Sequence, residues 1–199
     1  MDDDLERTAR IAADPDAAVM TRVDALAHVV DVVSLGAGPI PDAIHAALAE
    51  AIDDLALVDA AISARHAGAV IAAVVLIGPQ PQLASSRRRV VRRLVAAGGT
   101  GIALAGLAIS IGDVASGVTL FVRDYRDSIV PRLDDWRLGS HALVGAWLAI
   151  VAEQPDDAAL AILGALEASG ASLDQLCAHA PDARRKDRLD QLRRALVAS

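Results

Sequence analysis

Three segments of this chain, residues 68–77, 101–111 and 138–152, are apolar around the whole circumference of a helix. A helix of that kind has no face for water and needs neighbours on every side. The remaining segments must therefore supply the helices that cover these three. Their periodicity fits that role. Val19, Val23, Leu26, Val30 and Val33 step by threes and fours, while Asp24, His28 and Asp31 face elsewhere. Pro41 opens a helix whose stripe of Ile44, Leu48, Ile52, Leu55, Val58 and Ile62 runs to about Arg65. A helix over 83–97 carries Arg87, Arg88, Arg89, Arg92 and Arg93. Val118, Phe121, Val122, Tyr125 and Ile129 form a stripe that stops before Pro131. A helix over 156–168 is stopped by Gly170, Ser172 and Gln175 have capping-box spacing, and a last helix after Pro181 aligns Leu189, Leu192 and Leu196.

The punctuation between these segments is helical. Gly36, Gly78, Gly98, Gly112 and Gly170 stand where helices should stop, with Pro39 and Pro79 just beyond two of them. No asparagine occurs anywhere, so Asn-Gly hairpin turns are absent. Aromatic residues make up 2% of the chain, so Ala, Leu, Val and Ile must fill the core. The expected fold class is all-α, in one domain over 1–199.

The apolar segments resemble one another. Residues 69–78, 103–112 and 144–153 align by eye, with 23–36 as a poorer copy, and their ends at Gly36, Gly78, Gly112 and Glu153 are spaced by 42, 34 and 41. Each is followed by a break and a more polar helix, the layout of stacked helical hairpins. Pro155-Asp156-Asp157 and Gly112-Asp113 echo a turn found in such hairpins. The pattern resembles HEAT-like α-solenoids over about 15–170, with capping helices over 171–199; a compact Ala-rich helical bundle is the alternative. The resemblance implies a helical-repeat interaction scaffold. HEAT-like folds also include DNA glycosylases with aromatic and acidic residues in a concave groove, but the concave positions here are aliphatic.

Mean hydropathy is +0.39, and two stretches, 66–86 and 94–112, hold no Asp, Glu, Lys or Arg. These approach the ~20 residues that span a bilayer. Gly78-Pro79 interrupts the first and Gly98, Gly99 and Gly101 the second, so buried core helices are the preferred reading over membrane insertion. The acidic start, Met1 to Asp4, does not look like a secretory signal. One Lys against 18 Arg points to a GC-rich bacterial coding bias, and a cytoplasmic location is expected from the lone Cys177.

Catalytic and cofactor-binding patterns are missing, and the chain is expected to be non-enzymatic with no cofactor or metal. His28, His45, His66, His141 and His179 form no His-Glu-x-x-His arrangement. Asp42 and His45 share a helix turn and suit a surface pair better than half a metal site. Cys177 and His179 face apart on a helix. The Gly98–Gly101 run lacks a following Gly-Lys-Ser/Thr, and Leu104 stands where a dinucleotide fold needs glycine, so it reads as a helix break. The acid pairs Asp53-Asp54, Asp134-Asp135 and Asp156-Asp157 read as solvated ends and faces.

Charge layout says more. Residues 1–59 sum to −10, 60–94 to +6 and 95–199 to −3, within a net −7. Arg88, Arg89, Arg92 and Arg93 share a broad helix face opposite Val90, Val91 and Leu94. Such a face pairs with the chain's own acidic helices or docks another protein, an acidic one. Nothing aromatic is interleaved for base stacking, which disfavours nucleic acid. The expected function is an interaction scaffold or adaptor, with these four arginines as partner-binding residues. A membrane-inserting protein is the first alternative and a nucleic-acid binder the second.

Overall fold

The structure, a computed structural model, describes residues 3–36, 38–132 and 140–198. Trp136, the Asp134-Asp135 pair and the side chain of His141 lie outside the described residues. Every regular element among the described residues is helical, so the chain is all-α. It divides into two compact units, Met1–Gly99 and Thr100–Ser199.

Unit 1 holds α1 (Asp3–Ala13), α2 (Val19–Leu35), α3 (Asp42–Asp53), α4 (Leu55–Ser63), α5 (Ala67–Ile77) and α6 (Ala84–Ala96). Helix α1 packs on α2 and α3. Helix α2 packs on α4 and α5, α3 on α4, α5 and α6, α4 on α5 and α6, and α5 on α6. The core is aliphatic: Val23, Leu26, Ile44, Leu48, Ile52, Leu57 and Val58 are almost wholly enclosed. Each such side chain contributes about 1.5–3 kcal/mol by leaving water.

Three sequence expectations need correction in this unit. The stripe of α2 does not begin at Val19, which is 43% exposed; Arg22, Val23, Ala25, Leu26, Val29 and Val30 are buried instead. The helix opened by Pro41 does not run to Arg65. It breaks at Asp54, whose extended backbone (φ −80°, ψ 97°) ends α3 while its carboxylate caps α4. And α5 is not enclosed on all sides, because Val75 is 50% exposed.

Helix α4 ends unusually. Arg65 adopts a left-handed φ of 67°, and the next amide, His66 N–H, reaches back to Ala61 O at 2.8 Å. This six-residue closure normally takes glycine, because an L side chain there costs about 1–2 kcal/mol. Arg65 is exposed, and its side chain makes no hydrogen bond or ion pair among the described residues. Arg65→Gly should therefore raise stability by about 0.5–1 kcal/mol, after the added freedom of the unfolded glycine is subtracted. Thermal unfolding checks this, and an unchanged or lower midpoint would refute it.

Unit 2 holds α7 (Ile102–Ser110), α8 (Val114–Asp124), α9 (Ser140–Ala152), α10 (Asp156–Ala168), α11 (Leu173–Cys177) and α12 (Ala183–Ala198). A π-helical turn at Tyr125–Ile129 and a short 3-10 turn at Val130–Arg132 extend α8. Helix α7 packs on α8, and α8 on α10. Helix α9 packs on α10, α11 and α12, α10 on α11 and α12, and α11 on α12. Residues 109–111 belong to the end of α7 and its stop. Gly112 takes φ 86°, Asp113 N–H closes back on Ala108 O at 2.9 Å, and the Asp113 carboxylate then caps α8 at Ser116 N–H. Two residues thus end one helix and start the next.

The α7–α8 hairpin is close because residue 117 has no side chain. A Cβ on Gly117 would lie 2.3 Å from Ile109 Cγ1 and 3.0 Å from the backbone oxygen of Ala105. Ile109 is itself buried and cannot swing away. Gly117→Ala should therefore cost about 1–3 kcal/mol by overpacking, despite the ~1 kcal/mol that alanine gains in an open helix. Gly106, on α7, is the control: its nearest atom beyond the helix is 3.9 Å away, and alanine should be tolerated or stabilising there. Equal effects at the two glycines in denaturant unfolding would disprove the close approach.

Candidate functional site

Helix α6 is where the charge layout concentrates. A 3-10 turn at Pro81–Leu83 leads into it, and the helix buries Ser86, Arg87, Val90, Val91 and Leu94. That apolar spine fixes the rotation of the helix and leaves Arg88, Arg89, Arg92 and Arg93 exposed. The expected division of faces is observed. Arg87 is the exception among the arginines. Its side chain is buried, its Nε has no hydrogen-bond partner among the described residues, and burial lowers its pKa from the usual guanidinium value.

The four exposed arginines form two side-by-side ladders, Arg88–Arg92 and Arg89–Arg93, each spanning about one helical turn. Arg89 and Arg93 are paired: Arg89 Nη2 lies 3.0 Å from Asp53 Oδ1, and Arg93 Nη1 2.9 Å from Asp59 Oδ2. Asp53 also accepts from the Ser86 hydroxyl at 2.5 Å. These acids stand at the end of α3 and on α4, so unit 1 supplies its own counter-charges. Arg88 and Arg92 have no ion-pair or hydrogen-bond partner among the described residues. Spaced i, i+4, their side chains neighbour one another on the helix surface. The face thus carries four guanidinium groups against two carboxylates.

The acid pair Asp53-Asp54 is not simply a solvated helix end. Asp53 anchors α6, while Asp54 accepts from Ala56 N–H at 2.9 Å and Leu57 N–H at 3.3 Å to cap α4. Asp54 also pairs with Arg22 Nη1 at 2.8 Å. Arg22 is 5% exposed, and its Nε donates to Ala12 O near the end of α1. Burial alone would raise the Asp54 carboxyl; the hydrogen bonds from Arg22, Leu57 and Ala56 together outweigh it and hold the pKa below the ordinary value. One buried cation therefore ties together α1, α2 and the break between α3 and α4. Sequence reasoning passed over Arg22. The available signal was its place four residues before Leu26 and seven before Val29, on the stripe that turned out to be buried.

The other candidate residues are held structurally. His45 Nε2 lies 3.1 Å from Ile77 O and 3.1 Å from Gln80 Nε2, so the ring is engaged with the end of α5 rather than with Asp42. Cys177 is buried, and burial, then Asp190, push its thiol up to about 11, far from a reactive thiolate. Gly98–Gly101 is a helix break: Gly99 N–H closes on Leu94 O at 2.9 Å to end α6, and α7 starts at Ile102. Asp156 pairs with Arg188, and Ser172 caps α11 through Gln175 N–H. Among the described residues no group of three or more His, Cys, Asp and Glu is placed to hold a metal ion. No helix among them is long and apolar enough to cross a membrane.

No family model, no curated protein and no solved structure matches the chain.

Proposed function

We propose that this protein is a non-enzymatic helical-repeat scaffold, of the stacked-hairpin kind the sequence resembles, that docks an acidic protein partner on α6. The observation that carries the reading is the half-neutralised arginine face: Arg89 and Arg93 are matched by Asp53 and Asp59, and Arg88 and Arg92 are left to a partner. A partner offering one or two carboxylates matches that surplus. A nucleic-acid backbone matches it poorly, since Asp53 and Asp59 lie beside the free cations and would repel phosphates. The described aromatics, Phe121, Tyr125 and Trp147, are buried and give no stacking platform.

The test compares the tagged chain with an Arg88→Glu/Arg92→Glu variant in capture from the native host. The variant should keep its thermal midpoint, because neither side chain is paired among the described residues, and should lose a specific acidic protein. Exposed pairs are each worth only about 0–1 kcal/mol, so Arg89→Ala/Arg93→Ala should lower the midpoint slightly. Capture that is identical in the two proteins would overturn the proposal. So would salt-dependent binding of generic duplex or single-stranded DNA that the double variant loses.

A further inference from the structure

We infer that the chain is a tandem duplication of one six-helix unit, with α1 to α6 repeated as α7 to α12. The first line of support is topological. In unit 2, α7 packs on α8, α8 on α10, α9 on α10, α11 and α12, α10 on α11 and α12, and α11 on α12. Moved back by six helices, each of these pairings is present in unit 1. Unrelated helical domains of similar size would share some neighbours in chain order. Second on fourth and fourth on sixth are what any stack of helical hairpins gives; third on sixth, α3 on α6 and α9 on α12, is the shared pairing that a plain stack does not require.

The second line is residue by residue, and independent of which helices touch. The buried stripe of α3 is Ile44, Ala47, Leu48, Ala51 and Ile52; that of α9 includes Val144, Trp147, Leu148, Val151 and Ala152, in the same spacing. Leu57, Val58 and Ala61 of α4 match Ala158, Ala159 and Ile162 of α10. Val70, Ala73 and Val74 of α5 match Leu173, Leu176 and Cys177 of α11. Leu5 and Ala9 of α1 match Leu104 and Ala108 of α7, and Arg22, Ala25, Leu26 and Val30 of α2 match Gly117, Leu120, Phe121 and Tyr125, whereas the buried Ala12, Val23 and Val29 stand against half-buried Ile111, Val118 and Asp124. The matched positions keep one order along the chain.

The third line is electrostatic. In unit 1 the acid ending the third helix, Asp53, and an acid of the fourth, Asp59, pair with arginines of the sixth. In unit 2 the acid just beyond the third helix, Glu153, pairs with Arg185, and Asp156, opening the fourth, pairs with Arg188, both on the sixth. Each unit thus fastens its basic closing helix by an acid at the end of the third helix, Asp53 or Glu153; the second acids are not equivalent, since the register that sets Leu57 on Ala158 places Asp59 opposite Leu160 and Asp156 opposite Leu55.

The copies differ at one informative pair of positions. Arg22 and Asp54, joined in unit 1, correspond to Gly117 and Pro155 in unit 2, Asp54 and Pro155 being the N-cap residues of the fourth helices. In unit 1 Arg22 reaches from α2 to the α3–α4 break and to Ala12 O of α1; at the equivalent place in unit 2 Gly117 lets α8 lie close against α7.

A crystal structure of the full chain tests the inference. Superposing residues 3–96 on 102–198 should align all six helices in chain order. Ile44 should fall on Val144, Leu48 on Leu148, Leu57 on Ala158, and Val70 on Leu173. Alignment of only an isolated hairpin, alignment out of chain order, or a shift of these pairs by a helical turn would overturn it.

Discussion

Asp54→Ala should cost about 3–5 kcal/mol, the range for removing one partner of a buried pair and leaving the other charged and enclosed. The loss comes mainly from Arg22, which is 5% exposed and would keep only its bond to Ala12 O. Loss of the α4 cap adds to it, typically about 1 kcal/mol. Asp54→Asn separates the two effects, because asparagine can still cap Ala56 and Leu57 but cannot neutralise the guanidinium. It should recover the capping part and no more. Arg22→Met, which removes the buried charge and keeps an apolar stem, should cost less than Asp54→Ala, since Asp54 is partly exposed and retains its two backbone donors. The pH dependence has a definite sign. A carboxyl whose folded pKa is depressed contributes fully above its unfolded value of about 3.9, and that contribution is lost as pH falls through the folded value. The Asp54 contribution should be flat between pH 5 and 7 and disappear on the acid limb below about pH 4. Urea unfolding of the three variants across that range measures it. An Asp54→Ala cost below about 1 kcal/mol would mean that Arg22 is not desolvated as the structure has it.

The same residues show how far sequence reasoning reached. Helix stops written in glycine were legible: Gly112 and Gly170 end α7 and α10 by the closure their φ values require. The stop at Arg65 was placed correctly but not its geometry, because no propensity marks an arginine as left-handed. The break at Asp54 was hidden for a physical reason. A one-residue interruption that keeps Ile52 and Val58 both facing the core preserves the helical spacing of the stripe, so periodicity cannot see it. Helix α1 went unread because its buried stripe, Leu5, Ala9 and Ala12, is mostly alanine and scarcely rises above the polar background. The all-apolar look of α5 overstated its burial, since composition cannot show that Val75 lacks a neighbour.

The charge layout was the most legible part of the candidate site. The surplus of acid in residues 1–59 and of base in 60–94 does meet across helices, at Asp53–Arg89 and Asp59–Arg93. What sequence could not give was which arginines are matched, because that depends on the rotation of α6 set by Val90, Val91 and Leu94. The duplication was hidden because equivalent positions trade volume: Ala47 stands against Trp147, Ile52 against Ala152, Leu57 against Ala158 and Ala61 against Ile162. A close-packed interior conserves total volume far more strictly than identity at any one site. The likeness therefore survives in burial and spacing and fades in letters.

Trp147 takes the place of Ala47 in that exchange and should be the most sensitive core position of unit 2. It is 2% exposed, with Phe121 edge-on at 5.6 Å and Tyr125 tilted against it at 5.7 Å. Trp147→Ala should cost about 3–5 kcal/mol, from lost burial and the cavity left behind, and should also forfeit the aromatic contacts, worth about 0.5–1.5 kcal/mol beyond area. The indole has a weakness that sharpens the test. Its Nε1–H is buried with no hydrogen-bond partner among the described residues, a state that costs about 1–3 kcal/mol in desolvation. Trp147→Phe removes that donor while keeping one ring against Phe121 and Tyr125. The smaller cavity and the relieved N–H act in opposite directions, so Trp147→Phe should fall within about 1 kcal/mol of the parent. Denaturant unfolding with an unchanged m-value separates these outcomes. A phenylalanine variant as unstable as the alanine one would show that Nε1 has a partner or that the full indole volume is needed. An alanine variant near the parent would move Trp147 out of the core and make its ring available to a partner.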